Sequence, residues 1–291
     1  MKPQNLTIVT TGKLVRTAII REEWYEDVED PESFVSYLRQ SKVKADIFSF
    51  FQRLPEIKRK FDYYMEWENI AVIPIISFDH WWTKQIHKHT RQAVKRAAKK
   101  GVEVKVVEFN HELVKGITEI YNESPIRQGK PFRHYGKDLH TIKKDHETYL
   151  DRSMFIGAYY KDELIGFVKL VDEKQFADIM QIISKMEHRD KSPNNILIAK
   201  AVEICYTKGI PYLEYGTWTR GGLDNFKRHN GFESIKVPRY YIPLTYKGTI
   251  ALKLRLHHGT VGIVPEKVIL RLIDLRKKWY TWRFGGSVKW T

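Results

Sequence analysis

The sequence predicts a folded chain of mixed α and β structure, and three observations carry that prediction. Residues 155–244 run in the order hairpin, strand, helix, strand, short helix, strand, with apolar spacing switching between the strand and helix periods. Hydrophobic residues make up 42% of the chain and aromatic residues 13%, too many for a disordered segment. The 291 residues amount to roughly two domains at ~100–200 residues each.

In order, residues 6–10 and 15–21 read as short strands around Gly12. Asp30-Pro31-Glu32-Ser33 marks a helix start with acids in its first turn, and Phe34, Tyr37 and Leu38 share one face behind it. Residues 45–51 and 63–74 alternate or run apolar, as strands do, so 1–78 form a small mixed unit. Residues 82–100 carry the strongest helical pattern. Ile86, Ala93, Val94, Ala97 and Ala98 fall on one face, and Lys84, Lys88, Arg91, Lys95 and Lys99 form a basic ridge on another, with Gly101 as the stop. A strand at 102–108 and a helix at 112–122 follow.

Residues 123–137 hold two Gly, two Pro and several basic and aromatic residues, with no helix or strand pattern. They read as a functional loop or a plain surface connection. Residues 154–160 and 164–171 make a hairpin about Lys161-Asp162-Glu163. Next come a strand at 176–186, an apolar and hence buried helix at 193–208, a strand at 212–216, a short helix at 223–229 and a strand at 237–244. The tail, 246–291, has helical patterns at 250–257 and 266–284, where Leu272, Leu275, Trp279 and Trp282 mix with Arg271, Arg276 and Arg283. That mixture suits an anionic membrane surface, an RNA backbone, or packing on its own domain with snorkelling cations.

Charge and cysteine content narrow the class. The net charge is +15; residues 79–101 hold +6 of it and 246–291 hold +8. Two concentrated segments fit anionic partners: nucleotide phosphates, tRNA or an acidic membrane face. No run of apolar residues is long enough to span a membrane, and the first residues lack the layout of a secretory signal. The expected setting is cytoplasmic, with the tail as a peripheral contact at the inner membrane face. Cys205 is alone, so no internal disulfide is possible, and its apolar neighbours predict a buried, structural thiol. His87 and His89, and the adjacent His257 and His258, have no carboxylate at ligand spacing, so no metal is expected.

The hairpin 155–171, Phe-Ile-Gly-Ala-Tyr-Tyr-Lys-Asp-Glu-Leu-Ile-Gly-Phe-Val-Lys-Leu-Val, resembles the central hairpin of the GNAT acyltransferase fold. Gly216 followed by Gly222-Leu-Asp-Asn-Phe-Lys-Arg-His-Asn-Gly-Phe232 resembles its C-terminal end. Trp82, His89-Thr-Arg91, Lys95-Arg-Ala97, Lys100-Gly-Val102, and Tyr121 ahead of Arg127-Gln-Gly129 are similar to the Fem-type branch, which includes peptidoglycan bridge aminoacyltransferases and acetyltransferases of polysaccharide gene clusters. The resemblance covers 79–245 well and 1–78 loosely. It implies a mixed central sheet flanked by helices over 79–245, a degenerate GNAT-like half over 1–78, and a basic amphipathic tail over 246–291.

It also implies a site. Family members bind the coenzyme A pyrophosphate on a Gly-rich turn opening the central helix, where free backbone N–H groups and the helix dipole favour anions. The matching turn here is Arg189-Asp-Lys191-Ser192-Pro-Asn194-Asn195. Arg189 fits the pattern; Ser192 and Asn194 replace its small residues. Ser192 is the expected N-cap, with Pro193 at the first helical position. Lys227 falls four residues before Gly231, where Fem-type members carry a Phe-Lys pair, so the resemblance implies oxyanion stabilisation or proton donation. Its loss is expected to lower turnover with little effect on stability. Glu187 and Asp224 are candidate bases. Arg127, Gln128, Arg133, His134 and Tyr135, with Tyr215, Trp218 and Arg220, supply the aromatic faces and cations of a sugar or nucleotide site; the same set would stack RNA bases.

Three functions are therefore expected to compete. The first is transfer of an acyl group, acetyl from acetyl-CoA, to the amine of an amino sugar or nucleotide sugar used for envelope polysaccharide. The second is aminoacyl transfer from tRNA to a peptidoglycan precursor, which the basic ridge favours and the lack of a coiled-coil arm opposes. The third is a non-catalytic GNAT-like module that binds RNA or anionic membrane.

Overall fold

The computed structural model describes residues 6–218, 222–262 and 266–284. The chain packs as two compact units, Met1–Asn69 with Lys236–Arg276, and Ile70–Ile235 with Lys277–Thr291.

The first unit opens with β1 (Ile8–Thr11), β2 (Thr17–Ile20), α1 (Pro31–Gln40), β3 (Ile47–Phe51) and the start of β4 (Tyr64–Pro74). The second unit takes the rest of β4, α2 (Phe78–His80) running into a π-turn at Trp81–Gln85, α3 (Lys88–Lys99), β5 (Glu103–Val107) and α4 (His111–Asn122). It continues with β6 (Ile126–Arg127), β7 (Lys130–Pro131), α5 (Leu139–His146), β8 (Ser153–Tyr160), β9 (Glu163–Asp172), β10 (Ala177–Ser184), α6 (Pro193–Thr207), β11 (Tyr212–Thr217) and α7 (Gly222–His229). The chain then returns to the first unit through β12 (Glu233–Pro243), α8 (Tyr246–Lys253) and the start of α9 (Glu266–Phe284). Sequence boundaries at 78 and 245 differ from this interleaving, because local patterning does not record which partner a returning strand selects.

In the first unit, β2 pairs parallel with β3, while β1–β2 and β3–β12 pair antiparallel. Asp30 caps α1 by accepting from the Ser33 N–H at 3.2 Å, as the sequence anticipates, and Phe34, Val35 and Leu38 are buried. They pack with Phe48, Phe50 and Tyr240 into one core. The Tyr240 hydroxyl donates to Gln52 Oε1 at 2.8 Å, and Arg239 pairs with both Glu23 and Glu68. One expectation needs correction here. His257 and His258 do meet a carboxylate: Glu66 of β4 faces His257 Nε2 at 3.2 Å and His258 Nε2 at 2.8 Å. With nearly 200 residues between them, spacing along the chain could not reveal it.

The second unit carries a mixed sheet in the order β4-β11-β10-β9-β8-β5. Among the described residues of this unit, β10 and β11 run parallel and the β4–β11, β9–β10, β8–β9 and β5–β8 pairs antiparallel. The β8–β9 hairpin turns on Lys161 and Asp162, both at positive φ, as a two-residue hairpin requires. α6 buries Leu197, Ile198, Ala201, Val202 and Cys205 in the core shared with β8, β9, β10 and β11. Trp81 is fully buried and its Nε1 donates to the Asn230 carbonyl at 3.0 Å. Gly231 follows at φ +87°, where a Cβ would stand 2.9 Å from that same indole nitrogen, so the Gly-Phe turn demands glycine twice over.

Two sequence expectations change. The helix expected over 82–100 is interrupted at Ile86 and His87, whose backbones are extended. Arg91 leaves the basic ridge to donate to the carbonyls of Trp82 and Thr83 at 2.6 and 3.1 Å, which clamps the π-turn onto α3. The expected loop at 123–137 contains the β6–β7 hairpin, turned by Gln128 and Gly129 at positive φ. Among the described residues, no helix is long and apolar enough to cross a membrane. Leu272, Leu275, Trp279 and Trp282 of α9 are exposed.

Candidate functional site: a fork between two parallel strands

β10 and β11 are paired only at Ala177–Leu213 and Asp178–Glu214. Beyond that point they part. On its other side β10 stays zipped to β9 as far as Ser184–Gly166, with a bulge between Ile179 and Gln181. β11 bulges against β4 between Glu214 and Thr217, where Gly216 sits at φ +55°. The divergence opens a cavity of about 590 Å³. Residues 181–186 of the β10 end and Tyr215 form its prongs, residues 192–195 at the start of α6 form one end, and the β6–β7 hairpin through His134 closes over it with Leu223 and Phe226 of α7.

Each prong is held by a cation from outside the sheet. On the β10 side Arg127 donates to the Ser184 carbonyl at 2.7 Å, to the Ile120 carbonyl at 2.5 Å and to Glu123 at 2.9 Å, and lies over the Phe132 ring. Glu123 also accepts from the backbone N–H groups of Met186 and Glu187 at 2.7 and 2.9 Å, fixing the chain as it leaves β10. Burial lowers the Arg127 pKa, Glu123 opposes that shift, and Arg189 adds like-charge repulsion. Lys185 pairs with Glu163 and Glu119, and Glu163 in turn meets His188 Nε2 at 3.2 Å. His134 is pushed down to about 4, first by burial and then by Lys137 and Arg133. It is therefore neutral at physiological pH and accepts from Arg133 Nε at 2.9 Å.

On the β11 side is Lys227. The sequence offers it as a group reaching the reacting atoms. In the structure it is 2% exposed, and its Nζ donates to the carbonyls of Tyr215 and Thr217 at 2.5 and 2.7 Å, with the Tyr215 ring 4.6 Å away. It does not line the cavity. Burial lowers its pKa to about 8, against the pull of Asp178, Asp224 and Glu214. Its bonds bracket Gly216, so it holds β11 in the bent course that leaves β10.

The turn before α6 also differs from expectation. Ser192 occupies the cap position but lies in the left-handed region at φ +52°, and its side chain caps nothing. The N–H groups of Arg189, Lys191, Ser192, Asn195 and Ile196 are all spent on nearby carbonyls. Lys191 pairs with Asp190 and covers the Tyr160 ring; Asp190 is held by Lys100 at 2.8 Å. The Asn194 Oδ1 is buried without a hydrogen-bond partner, and Asn195 donates to Asn230 at 3.2 Å.

Thus Arg127, Gln128, Arg133, His134, Arg189, Ser192, Asn194, Asn195 and Tyr215 converge on one cavity. Tyr135 is 47% exposed and stands apart. Glu187 is exposed, Asp224 pairs with Arg228 at 2.9 Å, and Trp218 packs against the main core beneath Arg228. None of Tyr135, Lys191, Glu187, Asp224 or Trp218 lines the cavity; Arg220 lies outside the described residues. Sequence reasoning missed the β10 end, including Lys185, and Phe226. The signal lay in the strand read over 176–186, whose final residues carry a lysine at the edge of a largely apolar run. Cys205 is buried and inert, its thiol pushed up to about 12 by burial.

No family model matches the chain, and no curated protein matches it in sequence. Solved structures do match in fold. FemX superposes with a TM-score of 0.58 at 12% identity, over 85% of this chain and 86% of that one. The C-terminal domain of a protein described as a lysylphosphatidylglycerol synthetase from Agrobacterium fabrum gives 0.56 at 14% identity, over 86% and 84%. L-PGS from Bacillus licheniformis gives 0.53 at 14% identity, over 86% and 85%. At such identities the likeness is one of fold, and it extends over most of each chain.

Proposed function

We propose that this chain is an acyltransferase that seats an activated acyl group in the fork between β10 and β11 and passes it to an amine. The observation that carries this reading is the early end of β10–β11 pairing, with the cavity that follows it. The unpaired strand edges offer backbone N–H groups to the donor carbonyl, where negative charge develops as the amine adds. The neutral amine nitrogen forms the new bond to the carbonyl carbon, the bond to the donor's sulfur or oxygen breaks, and the proton the nitrogen sheds balances the one the leaving atom takes up. Arg127 and Arg189 supply positive charge at the cavity wall for the anionic part of either substrate. Lys227 acts as a positioning residue, setting the bend of β11.

Two donors suit this chemistry, a coenzyme A thioester and an aminoacyl ester of tRNA. The turn before α6 favours the ester. A pyrophosphate needs free backbone N–H groups at close range, and Pro193 has none while its neighbours' are largely spent. The basic ridge of Lys88, Lys95 and Lys99 on α3 would meet an RNA backbone. The name of the lysylphosphatidylglycerol synthetase neighbour describes a lysyl group joined to a lipid, which is an aminoacyl transfer, there to a hydroxyl. The acceptor in this reading is the amine of a sugar-linked envelope precursor, and the exposed apolar residues of α9 would bring the enzyme to an anionic lipid face. Acetyl transfer from acetyl-CoA is the second reading, supported by Arg189 at its expected place.

The test is a transfer assay read by mass spectrometry, with acetyl-CoA and a mixed aminoacyl-tRNA pool offered in parallel against amino-sugar nucleotides and peptidoglycan precursors. Transfer from the tRNA pool, reduced at least ~10-fold in Arg189→Ala, is the expected result. Transfer from acetyl-CoA alone would select the second reading. Salt-dependent RNA binding with no transfer from either donor would make the chain a binding module.

A further inference from the structure

Glu66, His257 and His258 belong to the first unit and take no part in the chemistry above. One ligand atom from each lies within 4.8 Å of the other two. The Glu66 oxygens stand 3.2 Å from His257 Nε2 and 2.8 Å from His258 Nε2, and the two imidazole rings are 4.0 Å apart. The two distances run to different carboxylate oxygens, Oε1 and Oε2. Ligand atoms about 2.0–2.1 Å from one tetrahedral zinc ion are roughly 3.3 Å from each other, so ligand atoms gathered within 4.8 Å need only small side-chain rotations to close on an ion.

The surroundings resemble the outer shell of a metal centre. Tyr64 donates its hydroxyl to Glu66 Oε1 at 2.9 Å, orienting the carboxylate. The His257 side chain is fully buried between Tyr64 and Tyr241. His257 Nε2 is turned toward Glu66 Oε1 and His258 Nε2 toward Glu66 Oε2. Two imidazoles with one carboxylate, gathered from segments far apart in the chain, are a donor set that suits zinc and disfavours magnesium.

We propose that Glu66, His257 and His258 form a zinc site that fastens the segment Leu256–Gly262 to β4 within the first unit. The two neutral imidazoles and the carboxylate carry one negative charge against the ion's two positive ones, and water completes the coordination. Because such a site exists only in the folded chain, bound zinc stabilises it.

The experiment uses the full chain, stripped with a chelator and titrated with ZnCl2 by calorimetry, with parallel thermal melts. The expected result is uptake of one zinc per chain, a rise in melting temperature, and little response to MgCl2. Glu66→Gln and the half-exposed His258→Gln should each weaken zinc uptake at least ~10-fold, and Tyr64→Phe, which only frees the carboxylate to turn, by a smaller factor. His258→Gln protects the test against misfolding, because its side chain is 40% exposed. Equal zinc uptake by the wild type and these variants, an equal response to magnesium, or no stoichiometric uptake overturns the proposal. In the last case a pH-dependent melting temperature would identify a simple histidine–carboxylate ion pair.

Discussion

The two edges of β10 make an instructive contrast. Toward β9 the strand is paired along its whole length despite a bulge. Toward β11 it is paired at two positions and then open. Both edges belong to apolar strands, so apolar content does not explain why one zips and the other gapes. The difference lies in what satisfies the strand ends. Arg127 supplies donors to the last carbonyl of β10, and Lys227 supplies them to two carbonyls at the end of β11. Each cation makes an unpaired strand end affordable in a buried setting, since a polar backbone group without a partner costs stability. A binding cleft can thus be built by replacing ladder hydrogen bonds with side-chain donors.

The sharpest way to break this contrast is to remove the cations. Arg127→Ala would leave the partly buried Glu123 with only its two backbone donors and the Ser184 carbonyl without its side-chain donor, a loss of about 3 kcal/mol, with transfer activity lost as the β10 end relaxes. Lys227→Met should cost less, about 1–3 kcal/mol, because it strands two neutral carbonyls rather than a charge, and it too should lower turnover. This revises the expectation that Lys227 is dispensable for stability. Chemical denaturation of both variants, with activity measured alongside, checks the order.

The next test concerns the wall around the hairpin. His134 and His146 are both held at about 4 against an ordinary 6.5, first by burial and then by nearby Lys137 and Lys169 respectively. The unfolded chain therefore binds more protons than the folded one between these values. Stability is expected to fall as pH drops from 6.5 toward 4, and to be flat with respect to these groups above 6.5. A melting series across that window, repeated with His146→Gln, should show a shallower acid slope in the variant. Smallest of all is Ser192→Ala. A working N-cap loses about 1 kcal/mol on such a change; here the serine caps nothing, so the melting temperature should barely move.

Much of the second unit was readable from residues alone. The β8–β9 hairpin and α6 follow from local periodicity, and the turn at Gly231-Phe232 was marked by its likeness to the family pattern. The cavity wall was partly readable, because Arg127, His134 and Tyr215 stand out by type and setting and Arg189 by its place in the turn the family resemblance implies. The α2–α3 break was hidden, since Ile86 and His87 fit a helical period and leave it only because the π-turn ends there. Lys227 was found as a residue but not as a role: the sequence gives its place on a short helix, while its burial depends on a strand ten residues upstream.

What the sequence by itself determined is the succession of elements and the residue types that reach the fork, because periodicity, turn geometry and the special freedom of glycine act over a few residues. What only the tertiary structure decided is which edges stay unpaired, where each buried cation finds its acceptors, and that Glu66 meets two distant histidines. These are matters of contact between segments far apart in the chain, and their free energies depend on burial and partner geometry that no local pattern encodes.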